Sequence, residues 1–440
     1  MFSKNNMKYI AILALGFFWC SSVYLTQEQY LLNYASENFI NIVELLFGSI
    51  AMALGILIFG IIYRNSKNIK NYYLIFTILA LISSILFFLA KNNIVMSILL
   101  CLTCIFGTAG FGAGYHFSLL AANVLKEYRG RVFAIGYGLG SIGTYLLILL
   151  PESFYCTSYS LTLYIPVILL TLFLVLRNTT IEIIEKEKYS KSFKNNFIKL
   201  SVIVLAMSLL SALSTDAISV HTINISGGYG NTRIYYCLGL LIAGFLVDKK
   251  KNFFDNITIA SFIFSLLAII LLQNNYSIHL IAALSYFFIG FFVLFRTISF
   301  INLVDTKKSI VFASAFGLMY SRIMEGLLTL VEDRIITNYT ILIITISIVL
   351  FIVLFLYLTL YVDLSKTTEE DVIKNIVVKY KLSNQEKKVL TLLVNGKSNQ
   401  EIADSLYISL YTAKRHVANI YKKTNMNKTE LIEKCYLGLK

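Results

Sequence analysis

Residues 396–421 read GKSNQEIADSLYISLYTAKRHVANIY, a polar, helix-forming stretch near the end of an otherwise apolar chain. The chain is 57% hydrophobic, only 14% of its residues are charged, and its mean hydropathy is +0.73. Soluble proteins carry about 25% charged residues. The contrast predicts a large apolar part that lies in a membrane and a polar C-terminal tail that lies in water.

Apolar runs of membrane-spanning length recur between residues 8 and 363, separated by short polar breaks. Backbone in lipid must satisfy its own hydrogen bonds, so such runs must be helices. Only 2 prolines are present to interrupt them. The predicted spans number twelve and cover residues 8–26, 39–63, 71–90, 94–125, 131–151, 160–177, 198–217, 232–247, 256–273, 277–304, 309–330 and 338–363.

The orientation of these spans follows from the Lys and Arg residues in the breaks, because cytoplasmic loops are enriched in them. One alternating set of breaks holds nineteen Lys and Arg residues, and the other set holds three: Lys91, Arg233 and Arg334. The first set is therefore predicted to face the cytosol. With twelve spans, both termini lie there, in a multi-pass protein of the inner (cytoplasmic) membrane.

The membrane part also divides in two. The charged break at 178–197, predicted to be cytosolic, separates halves at 8–177 and 198–363. The halves share a faint repeat, since VFAIGYGLG from Val132 and VFASAFGLM from Val311 lie 179 residues apart. Two six-helix halves joined by a cytosolic loop are the layout of a parallel-repeat transporter.

The membrane part, residues 1–363, resembles the major facilitator superfamily. Its loop GFLVDKKKN from Gly244 is similar to that family's conserved loop, with Gly244, Asp248 and Lys249 on matching positions. YRGRVFAIGYGLGSIG from Tyr128 resembles the family's loop into span five. The loop after span two, YRNSKNIK, departs from the pattern, because it lacks the Gly and Asp. The resemblance implies a twelve-helix bundle, and the departure weakens the expectation of active transport.

The tail begins with a linker at 364–381, followed by a domain at 382–440 for which capping signals predict four helices. Ser383 with Glu386 and Ser398 with Glu401 form S-x-x-E capping boxes, and Ser409 caps the third helix. Asn427 with Glu430 starts the fourth helix. The predicted fold class is therefore all-α throughout.

The third helix is amphipathic and basic. Ala413, Val417 and Ile420 form an apolar stripe at helical spacing, while cations occupy the opposite face. Residues 409–428 contain five basic residues and no acid. A basic helix preceded by a tight turn suits the major groove of DNA. Considered alone, such a charge run is more typical of the solvated surface of a small helical bundle.

The whole tail also closely resembles the LuxR-type helix-turn-helix domain. The residues on that family's motif positions are Leu382, Glu386, Val389, Leu390, Gly396, Asn399, Glu401, Ile402, Ala403, Leu406, Ile408, Ser409, Thr412, Lys414, His416, Asn419, Ile420, Lys422 and Lys423. Gln385 and Ala413 are mild departures.

The resemblance implies a domain that binds double-stranded DNA as a homodimer, with 410–424 as its recognition helix. The implied DNA-binding residues are Tyr411, Thr412, Lys414, Arg415, His416, Ala418, Asn419, Lys422 and Lys423. The last helix would pair two protomers through Leu431, Ile432 and Cys435.

Ionisable residues within predicted spans are candidate ligand residues, because charge is costly in lipid. The candidates for an effector site are Glu44, His116, Arg296, Arg322 and Glu325. Arg322 and Glu325 lie three residues apart and so share a helix side. An alternative is that this pair only neutralises itself and that His116 is a hydrogen-bonded packing residue.

The sequence shows no nucleophile–base set, metal-ligand cluster or ATP-binding motif, so we predict no enzyme activity, metal or cofactor. We predict a bacterial transcriptional regulator whose membrane domain senses a small effector or the state of the bilayer. Its cytosolic tail would bind promoter DNA. The alternatives are an active secondary transporter that carries a regulatory tail, and a sensor that acts through a separate partner protein.

Overall fold

The computed structural model forms two compact units, Met1–Leu356 and Tyr357–Lys440, which are described separately below. The residues that the structure describes are 4–32, 45–66, 68–90, 93–155, 157–178, 191–222, 228–274, 278–303, 311–330, 335–336, 338–361, 373, 376–377, 380–427 and 431. Glu44, Ile432, Cys435 and most of the predicted loop 178–197 and linker 364–381 lie outside the described residues.

The membrane part consists of helices that coincide one for one with the predicted spans. They are α1 (Lys4–Leu32), α2 (Met52–Asn65, preceded by a π-helical stretch at Leu45–Ala51), α3 (Ile69–Leu89), α4 (Ile94–Asn123, π-helical at Phe106–Gly112), α5 (Lys126–Ile148), α6 (Leu161–Asn178), α7 (Lys191–Thr222), α8 (Gly228–Lys249), α9 (Lys251–Gln273), α10 (Ile278–Leu303), α11 (Phe316–Leu328, preceded by a 3-10 turn at Val311–Ala315) and α12 (Tyr339–Leu356, π-helical beyond it at Tyr357–Tyr361).

Among the described residues, 10 helices are long and apolar enough to cross a membrane. The other two predicted spans correspond to α8, which contains Arg233 and Asp248, and to α11, which has 13 residues. The all-α prediction is confirmed, since the described residues form no strand.

The two halves pack together mainly through α5 of the first half and α8 of the second. Helix α5 also packs along α1, and α8 packs along α10. The crossing of α8 and α10 is close at Gly239, where a Cβ atom would lie 1.9 Å from the carbonyl oxygen of Phe287. A glycine is therefore required there for the two backbones to approach each other.

The C-terminal unit contains α13 (Asn384–Val394), α14 (Asn399–Leu406) and α15 (Leu410–Thr424). Both predicted capping boxes are confirmed, because each serine accepts from the third helical N–H and each glutamate accepts from the serine N–H. Ser409 caps α15 by accepting from the Thr412 amide at 3.1 Å. These caps fix the starts of all three helices.

The core of this unit extends beyond the three helices. Val389, Leu390, Ile402 and Ile420 are fully buried at its centre. Ile373 and Ile376, which belong to the predicted linker, are also buried in this core. Apolar residues before the predicted boundary at 382 therefore contribute to the stability of the C-terminal unit.

Candidate nucleic-acid interface and membrane ligand site

Helix α15 presents one face to the core and the opposite face to solvent. Ala413, Val417, Ile420 and Thr424 are buried, and they anchor α15 against α13 and α14. The short α14 ends at Tyr407, whose φ of 54° is left-handed, so the chain reverses sharply before Ser409 begins α15. Two helices joined by such a tight turn form a helix-turn-helix.

The predicted DNA-binding residues fall into two groups. Those exposed on α15 are Tyr411, Lys414, Arg415, Ala418, Asn419, Lys422 and Lys423. Thr412 and His416 are half-buried. The Thr412 hydroxyl lies 2.8 Å from the Ser409 hydroxyl and so belongs to the cap of α15. His416 Nδ1 is buried and has no hydrogen-bond partner among the described residues.

Lys423 has a structural contact that the sequence did not reveal. Its Nζ donates to Glu386 Oε2 at 2.6 Å and so ties the end of α15 to the start of α13. Burial raises the pKa of Glu386, but hydrogen bonds from Lys423 and Ser383 outweigh that effect and hold the pKa below its ordinary value. The Lys423 ammonium therefore stabilises the domain, in addition to any contact that it makes with DNA.

The lowered pKa of Glu386 gives an expected acid sensitivity. A carboxyl with a depressed pKa in the folded state contributes stability above its unfolded pKa of about 4.3 and loses it as pH falls through the folded value. Urea unfolding of residues 373–440 should show stability falling below about pH 4.3, and Glu386→Gln should flatten that decline. Asp404→Asn is the control, because the exposed Asp404 carboxylate accepts a hydrogen bond from the Gln400 side chain within its own helix. Equal pH profiles for the two variants would contradict this role.

Two exposed tyrosines, Tyr407 and Tyr411, lie at the turn between α14 and α15. Only Tyr411 was predicted to contact DNA. Tyr407 is 96% exposed and Tyr411 is 78% exposed. Exposed aromatic side chains beside a recognition helix can contact sugar, phosphate and thymine methyl groups. An exposed tyrosine in the turn could have been noticed from the sequence, but its exposure depends on the left-handed backbone at Tyr407.

One of the predicted dimerisation residues lies in the core of the C-terminal unit. The Leu431 side chain is fully buried there. Leu431 therefore contributes to the stability of its own domain, and its contact with a second protomer stays a prediction. Ile432 and Cys435, the remaining candidates, lie outside the described residues.

The membrane part contains a polar cluster built on Arg322. Its Nη1 forms an ion pair with Glu325, and Glu325 also accepts a hydrogen bond from Ser321 at 3.1 Å. The Arg322 and Glu325 side chains remain 32% and 34% accessible, so the pair is only partly enclosed by the surrounding helices. Arg296, on the neighbouring α10, interacts electrostatically with both.

Three further helices contribute to this cluster. Tyr236 of α8, Tyr137 of α5 and Tyr24 of α1 all lie within electrostatic range of its arginines. Arg233 of α8 donates to the Ser21 hydroxyl at 3.3 Å and also interacts with Tyr236. We refer to Arg233, Arg296, Arg322, Glu325 and these three tyrosines as the central polar cluster. The sequence had assigned Arg233 to an outer break, but it is part of α8.

The other two effector-site candidates are placed differently. His116 is buried in the first half, where its Nε2 lies 2.9 Å from the Tyr73 hydroxyl. A Cβ atom on Gly16 would lie 2.4 Å from its ring, so the ring is tightly enclosed. This environment suits a hydrogen-bonded packing residue. Glu44 lies outside the described residues.

A second ionic contact joins the halves at the end of α8. Asp248 accepts from the Gly130 amide at 2.9 Å, from the Arg131 amide at 3.0 Å and from Arg131 Nε at 2.9 Å. A Cβ atom on Gly130 would lie 2.6 Å from Asp248 Oδ1, so only glycine permits this contact. Asp248 therefore accepts from the backbone of α5 and binds a cationic side chain of the same helix.

Arg129 strengthens the same junction. It donates to the carbonyl oxygens of Ala121 and Val124 in the first half, and to Ile301 and Asn302 in the second. Four acceptors from two helix ends surround one buried guanidinium, so this arginine is structural.

Residues 380–434 match the family described as "Bacterial regulatory proteins, luxR family". This match supports a LuxR-type helix-turn-helix domain over these residues. The domain is 54% identical over 44 residues to the transcriptional regulatory protein YhcZ of Bacillus subtilis, and 48% identical over 46 residues to the transcriptional regulatory protein DegU of Brevibacillus brevis. Each match covers 10% of this chain, and the chain spans only 21% and 20% of the lengths of those relatives. The likeness to them is confined to the LuxR-type domain.

The membrane part is similar to solved transporters. The human organic anion transporter MFSD10 (TETRAN) matches with a TM-score of 0.60 at 11% identity, covering 80% of this chain and 100% of that protein. The Escherichia coli fucose:proton symporter FucP matches with a TM-score of 0.56 at 11% identity, covering 80% and 99%. At this identity the likeness shows the fold alone, and the fold is similar to that of these transporters. The protein therefore joins a multi-pass membrane domain of this fold to a LuxR-type DNA-binding domain.

Proposed function

We propose that this protein is a membrane-embedded transcriptional regulator. Its membrane domain binds a small effector, and its LuxR-type domain binds promoter DNA as a homodimer. The observation that carries the proposal is the exposed basic face of α15, with Lys414, Arg415 and Lys422 all exposed and opposite a buried apolar stripe. Such a face supplies phosphate contacts and donors to guanine edges.

The proposal requires the LuxR-type domain to lie in the cytosol. Nineteen Lys and Arg residues in one set of breaks against three in the other support an orientation with both termini inside. Crosslinking and sequencing of DNA bound to the intact protein should then recover discrete promoter sites. A reporter fused after Lys440 that registers the exterior would make direct DNA binding impossible and so reject the proposal.

The central polar cluster is the proposed effector site. A ligand that prefers one packing of the two halves shifts the equilibrium between packings, and α12 continues towards the LuxR-type domain. We expect Arg322→Ala to leave the protein in the membrane and bound to DNA, but to abolish its response to inducer.

A purely structural ion pair would behave differently from an effector site. Removing one partner would then lower protein abundance, because an uncompensated charge remains in the membrane part. The double variant Arg322→Ala/Glu325→Ala would restore abundance and respond normally. Western blotting of membranes together with a promoter reporter separates the two results, and a normal response of the double variant would exclude an effector role for this pair.

Secondary transport is the second candidate function. The contact of Asp248 with α5 supports it, since ionic contacts between halves can hold one state of an alternating-access cycle. The similar proteins named above are a transporter of organic anions and a fucose:proton symporter. Accumulation of a labelled substrate in proteoliposomes would favour this function, and binding without accumulation would favour sensing.

A further inference from the structure

The environment of Arg296 indicates the chemical class of the effector. Arg296 lies on α10, and the residue is only 4% exposed. Within the described part of the chain, its guanidinium has no hydrogen bond or ion pair, and its Nε is buried without a partner. Its Cζ lies 5.6 Å from the centroid of the Phe292 ring.

The surroundings of Arg296 add positive charge. The charged side chains of the central polar cluster are three arginines and one carboxylate, that of Glu325. Glu325 is already engaged by Arg322 and Ser321. A cationic ligand would be repelled by this balance, and a neutral ligand would leave Arg296 uncompensated. Burying an uncompensated charge is strongly unfavourable.

The geometry of the donors points to an oxyanion. A guanidinium presents parallel N–H groups that match a carboxylate or a phosphate in a bidentate pair. Tyr137 and Tyr236 lie within electrostatic range of Arg296, and phenol hydroxyls can donate to the same anion. Arg322 Nε is also buried without a hydrogen-bond partner, so a second guanidinium retains donor capacity.

We propose that the central polar cluster binds a small organic anion through a carboxylate or phosphate group that pairs with Arg296. This inference rests on the proposed function for the site, and it adds the ligand's charge and chemical group. Arg322, held by Glu325, orients the anion from the neighbouring helix.

The first test uses stability and needs no knowledge of the natural ligand. Arg296→Met removes the uncompensated charge and keeps the length of the side chain. In potassium chloride, the purified full-length variant should therefore unfold at a Tm about 2 °C or more above the wild type. Arg177→Met is the matched control, because Arg177 also stacks on a phenylalanine, at 5.7 Å from the Phe173 ring, but lies on an exposed surface. A clear loss of stability in Arg296→Met alone would mark Arg296 as a structural residue and overturn the proposal.

The second test uses anions as probes. Potassium acetate or potassium phosphate should raise the Tm of the wild type and of Arg177→Met saturably, compared with potassium chloride at equal ionic strength. Arg296→Met should show only the smaller, non-saturating effect common to all variants, and Arg296→Lys a weaker saturable one. A response to acetate alone indicates a carboxylate, and a response to phosphate alone indicates a phosphoryl group. If neither anion separates Arg296→Met from the wild type, no oxyanion binds at this residue.

The same variants distinguish this inference from the proposed function. Arg296-dependent stabilisation without any change in promoter activity would support the anion site and reject sensing. A promoter response to a neutral or cationic compound that survives Arg296→Met would support sensing and reject the anion site.

Discussion

Replacing Lys414 and Arg415 together by alanine should lower the affinity of the intact protein for its operator by at least about 30-fold, since each base or phosphate contact is worth about 1–3 kcal/mol. Both side chains are exposed on α15, opposite its buried stripe. The fold of the domain should therefore be unchanged, with the same circular dichroism spectrum and unfolding midpoint. Fluorescence anisotropy with labelled operator duplex measures the loss.

The matched control is Lys387→Ala/Lys388→Ala. These two lysines are adjacent, exposed and located on α13. Their removal lowers the charge of the domain by the same amount. Because non-specific attraction to DNA depends on net charge, the control should lose only a small part of the affinity. Equal losses in the two double variants would mean that α15 is not the DNA-contacting helix.

The single variants should separate the two kinds of contact. A residue that binds phosphate weakens all sequences alike and lowers the salt dependence of binding by about one unit of slope. A residue that contacts a base relaxes specificity at one position of the operator. Binding at several salt concentrations, with operators changed one base pair at a time, assigns Lys414 and Arg415 to these classes.

Removing the Asp248 carboxylate should destabilise the membrane part by about 3 kcal/mol, because breaking one side of a buried pair leaves a charge uncompensated. Asp248 accepts three hydrogen bonds from the start of α5, and its side chain is only 2% exposed. Asp248→Ala would leave Arg131 without its counter-ion and would remove the acceptor of these three hydrogen bonds. Thermal unfolding of the purified protein in detergent, compared with the wild type, measures the effect.

Two further variants test the cause of that loss. Asp248→Ala/Arg131→Met should recover part of the lost stability, because the unpaired cation has been removed as well. Arg177→Met removes an exposed cation of the membrane part that stacks on Phe173 and does not join the halves. It should cost less than about 1 kcal/mol. A loss in Arg177→Met as large as that in Asp248→Ala would mean that the contact between the halves contributes no more to stability than an exposed charge does.

Features that depend on residues close together along the chain could be predicted from the sequence. A capping box joins residues three apart, so Ser383 with Glu386 and Ser398 with Glu401 could be recognised without any knowledge of the fold. Span positions follow from apolar runs, because lipid imposes helix on any backbone within it. The basic face of α15 follows from helical periodicity and from the LuxR motif, both of which are properties of the sequence.

The contacts between charged side chains, in contrast, depend on how distant helices pack together. Lys423 and Glu386 are 37 positions apart, and Arg131 and Asp248 are 117 apart. Helical periodicity cannot say which distant helix faces a given side chain, so Lys423 appeared only as a DNA contact and Arg233 only as a loop charge. Leu431 looked like an interface residue because an apolar residue on a terminal helix fits either a core or a partner. Whether a buried arginine is paired depends on every helix packed around it, and the unpaired state of Arg296 could therefore emerge only once α1, α5, α8, α10 and α11 were assembled.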